Sequence, residues 1–359
     1  MGTRWSGKPL ELCPQPGKAL SSQSSEVMMG VRNLGIRAAR KTLDQNTLDV
    51  SHSPQEAAEL SARSNTRRLP SFFIIGPPRT GTTWLHQILS GSAILPRPTK
   101  ETRFFDKHFS RGLGWYLAHF PASAAACPRG EVAPTYFSSP EARERIAGLI
   151  PSARVVCIFR NPVERILSLY RLKRAYAMLP WSFERAIIHD PELMQSSNYV
   201  ANLTAWQAAL GEKQVLATVY DDLQRDPKAY VDRLADFIHI PRFSIPEPLT
   251  HPLNHSAEMT LPRSYYRTRG ATLVADWFKA RKLDGLVAAV MRSRLRSLFL
   301  GGGASFNELP QDLIAVLVEI FRPEVEALEI LLKRDLSAWK RPLTSTSGSG
   351  GNGSRAIAS

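Results

Sequence analysis

The segment that most constrains the fold is SFFIIGPPRTGTTW, residues 71–84. Its apolar run Phe72–Ile75 predicts a buried β-strand, and Gly76-Pro77-Pro78 ends that strand abruptly. Helix-compatible sequence resumes at Thr82. A strand that leads through a tight loop into a helix makes an anion site, because free backbone N–H groups and the positive end of the helix dipole converge there. We therefore predict a phosphate-binding loop.

The glycines of this loop restrict the kind of nucleotide enzyme that it fits. Gly76 and Gly81 match the glycine spacing of the Walker A motif, G-x-x-x-x-G-K-[ST], but Thr82 occupies the position of the motif's lysine. The cation of the loop is Arg79, which comes earlier. An ordinary ATPase or GTPase is therefore disfavoured. A P-loop nucleotide kinase-like enzyme stays open as an alternative, and so does a structural corner with incidental glycines.

Strand-like and helix-like segments alternate along the middle of the chain. Apolar runs predict further buried strands at 154–159 and 214–220. Helices are predicted at 82–90, near 112–120, and at 141–149, 162–177, 227–238 and 309–332. Strands that are separated by helices favour a parallel sheet with right-handed crossovers. The predicted fold class is α/β, with a P-loop-NTPase-like parallel sheet flanked by helices in a single domain.

The two ends of the chain differ in composition from its middle. Residues 1–69 are polar and Ser-rich and predict a flexible N-terminal extension, in which Met28–Leu43 has the pattern of a short amphipathic helix. Residues 341–359 are rich in Ser and Gly and predict a disordered tail. The folded domain is therefore predicted to occupy residues 70–340.

The charge of the chain raises the question of a nucleic-acid partner. A formal net charge of +14 favours binding to any polyanion, including a nucleotide, a sulfated sugar or RNA. The Lys and Arg residues are scattered, however, and no helix-turn-helix, RRM or zinc-finger pattern is visible. We expect no specific nucleic-acid partner.

The loop and a second segment together resemble two motifs of sulfotransferases that use 3′-phosphoadenosine 5′-phosphosulfate (PAPS). Pro78–Trp84, PRTGTTW, is similar to the 5′-phosphosulfate loop of that family, in which Lys is usual at position 79 and Arg replaces it in many bacterial members. The strand at 154–159 ends at Arg160 and is followed by Ser168, which is similar to the family's 3′-phosphate motif.

A third segment narrows the resemblance to one branch. Lys100–Asp106, KETRFFD, resembles the K-E-x-x-F-F-D motif of heparan sulfate (glycosaminoglycan) sulfotransferases. Glu131–Phe137 resembles the E-K-[ST]-P-x-Y-[FL] segment near the acceptor site, but Val132 replaces a lysine that contacts anionic sugar in that branch. This departure weakens the case for a glycosaminoglycan acceptor. The resemblance as a whole extends from about Ser71 to Trp339.

The resemblance implies a role for each motif residue. Glu101 would be the base that deprotonates the acceptor, with Lys100 close enough to tune it. Arg79 would stabilise the leaving group electrostatically, because Arg does not readily give up a proton. The implied cofactor-binding residues are Arg79, Thr80, Gly81, Thr82, Thr83, Trp84, Arg160 and Ser168. The implied acceptor-binding residues are Arg103, Asp106, Tyr136 and His255. No metal is expected, because Arg, hydroxyl and main-chain groups would neutralise the charge.

Cysteines and apolar runs bear on the location of the protein. Cys13, Cys127 and Cys157 are widely spaced and predict neither a C-x-x-C metal pair nor a disulfide framework. No apolar run approaches the ~20 residues of a membrane span, and the N-terminus lacks the apolar region of a secretory signal. Animal members of the resembled branch usually carry a disulfide and a membrane anchor. We therefore expect a cytoplasmic and bacterial protein without a membrane span.

The function predicted from these residues is transfer of a sulfuryl group from PAPS to a hydroxyl, or as a second choice an amine, of a carbohydrate or small metabolite. Besides the P-loop kinase-like enzyme, the alternative is a non-catalytic module that binds a nucleotide or a polyanion. Glu101 beside a complete cofactor loop speaks against that module. The sequence gives no indication of the oligomeric state.

Overall fold

A computed structural model of the chain describes residues 68–121, 127–250, 259–280, 287, 290, 302–306 and 309–343. The predicted helix at Met28–Leu43, the Ser/Gly-rich tail, Cys13 and the predicted acceptor residue His255 lie outside the described residues. The predicted division into an extension, a domain and a tail therefore stays a prediction at both ends.

A parallel sheet of four strands forms the centre of the domain. The strands are β1 (Phe72–Ile74), β2 (Gly130–Val132), β3 (Arg154–Phe159) and β4 (Val215–Val219). Their spatial order is β2-β1-β3-β4, and every pairing in this sheet is parallel. A separate antiparallel pair consists of β5 (Thr260–Pro262) and β6 (Gly302–Ser305). The predicted α/β class with a parallel sheet is confirmed.

Helices connect the strands and cover both faces of the sheet. In chain order they are α1 (Thr82–Leu89), α2 (Gly112–Leu117), α3 (Pro140–Leu149), α4 (Pro162–Ala175), α5 (Phe183–His189), α6 (Pro191–Gln195), α7 (Tyr199–Leu210), α8 (Tyr220–Arg225), α9 (Pro227–Ile238), α10 (Tyr265–Ala280) and α11 (Gln311–Leu332). Every helix that the sequence predicted within the described residues is present, with ends within a few residues of the prediction. Proline at the first position of α3, α4 and α9 fits the preformed backbone angle that a helix start requires.

Alternation along the strands separates two of the three core clusters, and the third lies between helices away from the sheet. Successive strand side chains point to opposite faces of a sheet, and both faces are covered by helices here, so most strand residues are apolar. On one face the cluster includes Phe73, Val155, Cys157, Phe159, Tyr199, Trp206 and Leu328. On the other face it includes Phe72, Ile74, Val156, Ile158, Leu85, Ile88 and Leu234.

Strand β2 is the strand of the central sheet that the sequence analysis missed. It has three residues, and its middle residue is Glu131, which interrupts the apolar run that marks a buried strand. The helices α5, α6, α7, α8 and α10 and the strands β5 and β6 were also unassigned. Among the described residues, no helix is long and apolar enough to cross a membrane.

The cysteines require one correction. Cys157 is a free and buried thiol, as expected of a residue in a buried strand. Cys127, in contrast, is disulfide-bonded. Spacing along the chain carries no signal for this bond, because two distant cysteines need only meet in space.

The strand order creates one switch point. The chain moves from β1 to β2 on one side of the sheet, and later to β3 and β4 on the other side. Open α/β sheets bind ligands in the crevice at the carboxyl ends of the strands where the direction reverses. The loop after β1 and Arg160 after β3 both lie at this crevice.

Candidate active site

The loop between β1 and α1, which is the predicted anion cradle, follows a tight backbone path. Gly76 passes so close to β3 that a β-carbon there would lie 2.8 Å from the backbone nitrogen of Ile158. Gly81 has a φ of 89°, and a β-carbon there would lie 2.9 Å from the Leu223 side chain. Arg79 also has a positive φ, 77°. Only glycine adopts such φ angles at low cost, so the backbone of this loop is held in a specific and partly strained conformation.

A prediction about stability follows from Gly81. We expect Gly81→Ala to lower the melting temperature and to weaken anion binding, because an L-residue is strained at this φ and its β-carbon meets Leu223 and Tyr220. Gly148→Ala is a matched control, since nothing lies within 4 Å of its added β-carbon. Differential scanning calorimetry of both variants tests this. Equal melting temperatures for the two variants would contradict the strain assigned to the loop.

The first turn of α1 keeps its backbone donors free of a side-chain cap. The first four N–H groups of a helix have no partner within the helix. In α3, α4 and α9 a side chain accepts from such groups, namely Ser139, Asn161 and Asp226. In α1 no side chain caps the start, and the first turn holds no acidic residue. The start of α1 thus has the donors and the charge environment that an anionic ligand needs.

Arg79 connects the loop to Ser168 on α4. Its Nε donates a hydrogen bond to Ser168 Oγ over 2.8 Å. Burial and the nearby charge of Arg160 lower the pKa of Arg79 from its ordinary value. The sequence analysis assigned Arg79 to the 5′-phosphosulfate and Ser168 to the 3′-phosphate of the cofactor. Their hydrogen bond therefore brings residues of both predicted phosphate-binding motifs into one cluster.

Arg160 lies beside the same loop. Its guanidinium donates to the backbone oxygen of Arg79 over 3.4 Å and forms an ion pair with Glu164 at 2.8 Å. It also lies over the ring of Tyr220, with 4.8 Å from its central carbon to the ring centroid. Arg160 and Ser168 are both buried. These contacts fix the position of the Arg160 side chain at the crevice, directly after the apolar strand β3.

Lys100 connects the predicted base to the start of α1. Its Nζ lies 3.1 Å from Glu101 Oε1 and 3.4 Å from Thr82 Oγ1. About a quarter of each side chain is exposed, 23% for Lys100 and 25% for Glu101. The pair is therefore reachable from solvent and at the same time adjacent to the anion cradle.

Two of the predicted cofactor residues are engaged within the protein. The hydroxyl of Thr80 donates to the backbone oxygen of Pro77 over 2.8 Å and is fully buried. The indole N–H of Trp84 donates to the backbone oxygen of Leu249 over 2.8 Å, and the side chain belongs to the core. Both residues shape the loop and its surroundings, which leaves Thr83 as the exposed hydroxyl of this segment.

Arg103 and Asp106 pair with each other. The Arg103 Nε donates to Asp106 Oδ2 over 2.6 Å, at the start of a π-helical turn formed by Phe104–His108. Arg103 has a φ of 55°, and its side chain is about one-third exposed, 32% against 7% for Asp106. Of the two, Arg103 has the surface that a contact with an acceptor requires.

Tyr136 lies in the interior. It is fully buried, and its hydroxyl contacts both carboxylate oxygens of Glu131 at 3.3 Å. Glu131 also accepts hydrogen bonds from the backbone N–H and the hydroxyl of Thr102 and from the hydroxyl of Tyr116. Tyr136 therefore has no exposed surface for the acceptor contact that the sequence predicted, because its hydroxyl is used in this network.

Glu131 itself is an unusual acid. Burial raises the pKa of its carboxyl to about 7, although the hydrogen bonds from Thr102 and Tyr116 act in the opposite direction. The sequence analysis treated Glu131 only as part of a motif. A signal was present, because a charged residue between apolar neighbours in a short strand needs partners in the interior.

The raised pKa predicts a pH dependence of stability. Between the ordinary pKa of a glutamate and about 7, the folded protein binds this proton more strongly than the unfolded chain does. The Glu131 carboxyl is therefore expected to make the free energy of unfolding fall as pH rises through that window. We expect Glu131→Gln to lose this contribution, so that the difference between wild type and variant changes with pH. Urea titrations at pH 5 to 8 measure the difference, and a difference that stays constant over this range would contradict the burial argument.

His86 is a site neighbour that the sequence analysis missed. It lies on α1 one turn after Thr82, and its Nε2 is buried without a hydrogen-bond partner. Burial, together with the charges of Lys100 and Arg97, lowers the pKa of His86 to about 4. The imidazole is therefore neutral at physiological pH and lies within the electrostatic reach of Lys100.

Over the part of the chain that the structure describes, no group of three or more His, Cys, Asp or Glu side chains could hold a metal ion.

Comparison with known proteins gives a family match. The family model described as "Sulfotransferase domain" matches residues 69–261. Bifunctional heparan sulfate N-deacetylase/N-sulfotransferase 1 of Caenorhabditis elegans is 26% identical over 296 residues, which cover 77% of this chain and 31% of that protein. The human enzyme numbered 3 in the same series is 30% identical over 208 residues, which cover 51% of this chain and 24% of that protein. The chain thus spans less than a third of the length of these relatives.

The fold also has a solved counterpart. The crystal structure of a sulfotransferase from Alicyclobacillus acidocaldarius aligns with a TM-score of 0.54 and 21% identity, covering 76% of this chain and 99% of that chain. This likeness concerns the fold.

Proposed function

The chain belongs to the sulfotransferase domain family, and from that premise we propose that it transfers a sulfuryl group from PAPS to a carbohydrate acceptor. PAPS supplies the activated sulfuryl group when it is bound. The names of the curated relatives, heparan sulfate N-sulfotransferases, support a carbohydrate. They also favour an amine as the accepting group, whereas the sequence alone put a hydroxyl first. A hydroxyl acceptor stays our first proposal, and an acceptor panel with both groups decides between them.

The proposed donor site uses the backbone N–H groups at the start of α1, the hydroxyls of Thr82 and Thr83, and Arg79. The uncapped helix start without acidic residues fits a phosphosulfate group, because both features favour a bound anion. Arg160 and Ser168 would hold the 3′-phosphate, and Arg160 would then share its charge between that phosphate and Glu164.

The proposed reaction centre is the pair Lys100 and Glu101. Glu101 accepts the proton of the acceptor hydroxyl through its carboxylate, since the side chain is partly exposed beside the cradle. Lys100 neutralises negative charge on the Glu101 carboxylate and on the anion proposed to bind at the start of α1, because its ammonium is adjacent to both places. Arg103 is the proposed acceptor contact at the surface, while Tyr136 supports the loop from the interior.

One observation carries this proposal. A continuous series of side-chain contacts links Glu101 to Lys100 and Lys100 to Thr82, and at the other end of the same loop Arg79 contacts Ser168. The proposed proton acceptor and the proposed phosphate-binding pair therefore lie at the two ends of one loop. A non-catalytic polyanion-binding module has no need of the carboxylate, since it repels the ligand.

Nucleotide binding tests the donor site. We expect adenosine 3′,5′-bisphosphate to bind well and adenosine 5′-monophosphate poorly, because a lost hydrogen bond to a charged group costs about 1.5–3 kcal/mol. Arg160→Ala and Ser168→Ala should remove this preference. Arg242→Ala is the control, since Arg242 is also paired with an acid, Asp236, but on the exposed surface. Isothermal calorimetry measures the affinities.

Other outcomes of this titration would count against the proposal. Equal binding of the two nucleotides would remove the 3′-phosphate role of Arg160 and Ser168. Binding of ATP together with phosphate transfer would favour the kinase-like alternative.

Location in a bacterial cytoplasm remains a proposal as well, and the disulfide of Cys127 weighs against it because cytosolic proteins keep most thiols reduced. Fractionation of the native source tests it.

A further inference from the structure

A buried carboxylate lies directly behind the proposed base. Glu131 is fully buried on β2. Its Oε1 accepts from the Thr102 backbone N–H over 2.8 Å and from the Thr102 hydroxyl over 2.7 Å. Its Oε2 accepts from the Tyr116 hydroxyl over 2.9 Å, and the Tyr136 hydroxyl lies 3.3 Å from both oxygens. These donors are neutral.

Such a carboxylate is costly for the fold. A charge taken out of water is stabilised fully only by a counter-charge and complete hydrogen bonding, and neutral donors meet only the second need. A glutamine at this position would accept and donate similar hydrogen bonds without the charge. The stability of the fold therefore does not explain why this position carries an ionisable glutamate.

The network ends on the peptide group that follows Glu101. The N–H that Glu131 holds belongs to the peptide bond between Glu101 and Thr102. The hydroxyl of Thr102 in turn accepts from the backbone N–H of Phe104 over 3.2 Å, where the π-helical turn begins. Glu131 thus fixes the Thr102 backbone directly, and the Thr102 hydroxyl that it holds in turn fixes the backbone at Phe104.

We propose that Glu131 is a positioning residue, which fixes the peptide after Glu101 so that the Glu101 carboxylate is held in place for proton transfer from the acceptor. The inference rests on the proposed function. Glu131 has no exposed surface, and it acts through Thr102. Its effect therefore belongs to turnover and not to donor binding.

The charge of Glu131 makes this positioning dependent on pH. Hydrogen bonds to an ionised carboxylate are roughly twice as strong as neutral ones, so Thr102 is held most firmly when Glu131 is ionised. The groups that face Glu131 are the hydroxyls of Tyr116 from α2 and Tyr136 from the turn after β2, and the charge of Glu101 from the loop. The adjacent strand β1 contributes the apolar Phe73. Because burial raises the pKa of Glu131 to about 7, kcat should rise with pH through this value.

The test compares Glu131→Gln with wild type at the level of the full chain. We expect adenosine 3′,5′-bisphosphate affinity to stay within about twofold and kcat to fall by about 10- to 100-fold, since a displacement of about 1 Å can cost 10²-fold. The rise of kcat near pH 7 should disappear in the variant. Glu324→Gln is the matched control, because Glu324 also accepts from a backbone N–H, that of Val200, but on α11. Circular dichroism verifies that each variant is folded.

The outcomes separate the inference from the proposed function. If wild type neither binds adenosine 3′,5′-bisphosphate nor transfers sulfate, the proposed function fails. If wild type is active and Glu131→Gln retains its kcat and its pH profile, positioning by Glu131 is overturned. If kcat falls equally in Glu131→Gln and Glu324→Gln, the loss reflects general destabilisation, and the inference fails as well. Should Glu131→Gln not fold, Tyr116→Phe, which removes one donor, must lower kcat without changing nucleotide affinity.

Discussion

Replacement of Glu101 by glutamine is expected to lower kcat by about 10²- to 10⁴-fold while nucleotide affinity stays unchanged, the usual effect of losing a general base. The amide keeps the size of the side chain but cannot take a proton from the acceptor. Affinity should persist because the donor site is formed by other residues, namely the start of α1, Arg79, Arg160 and Ser168. Steady-state turnover with saturating PAPS, together with calorimetry of adenosine 3′,5′-bisphosphate, separates the two effects.

The control for this variant is Glu319→Gln. Glu319 is an exposed acid on α11 that pairs with Arg322, so its loss should leave turnover within experimental error. Near wild-type turnover of Glu101→Gln would mean that another group takes the proton. The structure identifies His86 as the next candidate to examine, because its imidazole is neutral and Lys100 lies nearby. A double variant of Glu101 and His86 would then be informative.

Replacement of Arg79 by alanine is expected to damage transfer severely, while Arg79→Lys retains part of it. A positive charge at this point of the loop would stabilise the negative charge that builds up on the bridging oxygen of the leaving nucleotide as the sulfuryl group passes to the acceptor. Lys supplies the charge but not the planar fork of Arg. It also cannot reproduce the hydrogen bond from Nε to Ser168 Oγ in the same geometry. We therefore expect Arg79→Lys to lose affinity for the 3′-phosphate as well as some turnover.

Arg79→Gln is the variant that decides the role of the charge. Glutamine can still donate a hydrogen bond to Ser168 but carries no charge. If Gln and Lys at position 79 support equal turnover, positive charge is not what the reaction needs there. Ser168→Ala gives a reference for the hydrogen bond alone, since it removes the acceptor of the same contact. Turnover and PAPS affinity of the four variants complete the comparison.

The sequence was sufficient to predict the architecture around the loop. Apolar runs identified β1, β3 and β4, and the glycines and prolines after β1 marked the turn into α1. These signals are local, because burial on both faces of a sheet requires a continuous apolar run. Strand β2 escaped notice since its pairing with β1 is a long-range contact and Glu131 interrupts its apolar pattern.

The candidate site was predictable in its parts but not in its connections. Motif residues placed Arg79, Lys100 and Glu101 in one region, whereas the contact between Arg79 and Ser168 joins positions 89 residues apart. No local pattern encodes such a contact. The burial of Tyr136 and the position of His86 beside Lys100 likewise depend on packing between separate elements. These features became visible only in three dimensions.

Analysis of the reaction products distinguishes sulfuryl transfer from phosphoryl transfer and from binding without reaction. The full chain is incubated with PAPS and a panel of carbohydrate acceptors that carry either free amines or only hydroxyls, and products are analysed by mass spectrometry alongside released adenosine 3′,5′-bisphosphate. We expect an acceptor that gains one sulfate for each adenosine 3′,5′-bisphosphate released, in wild type and in Glu319→Gln but at a strongly reduced rate in Glu101→Gln. PAPS that stays intact with every acceptor, or a product that gains phosphate from ATP instead, would contradict sulfuryl transfer from PAPS by this chain.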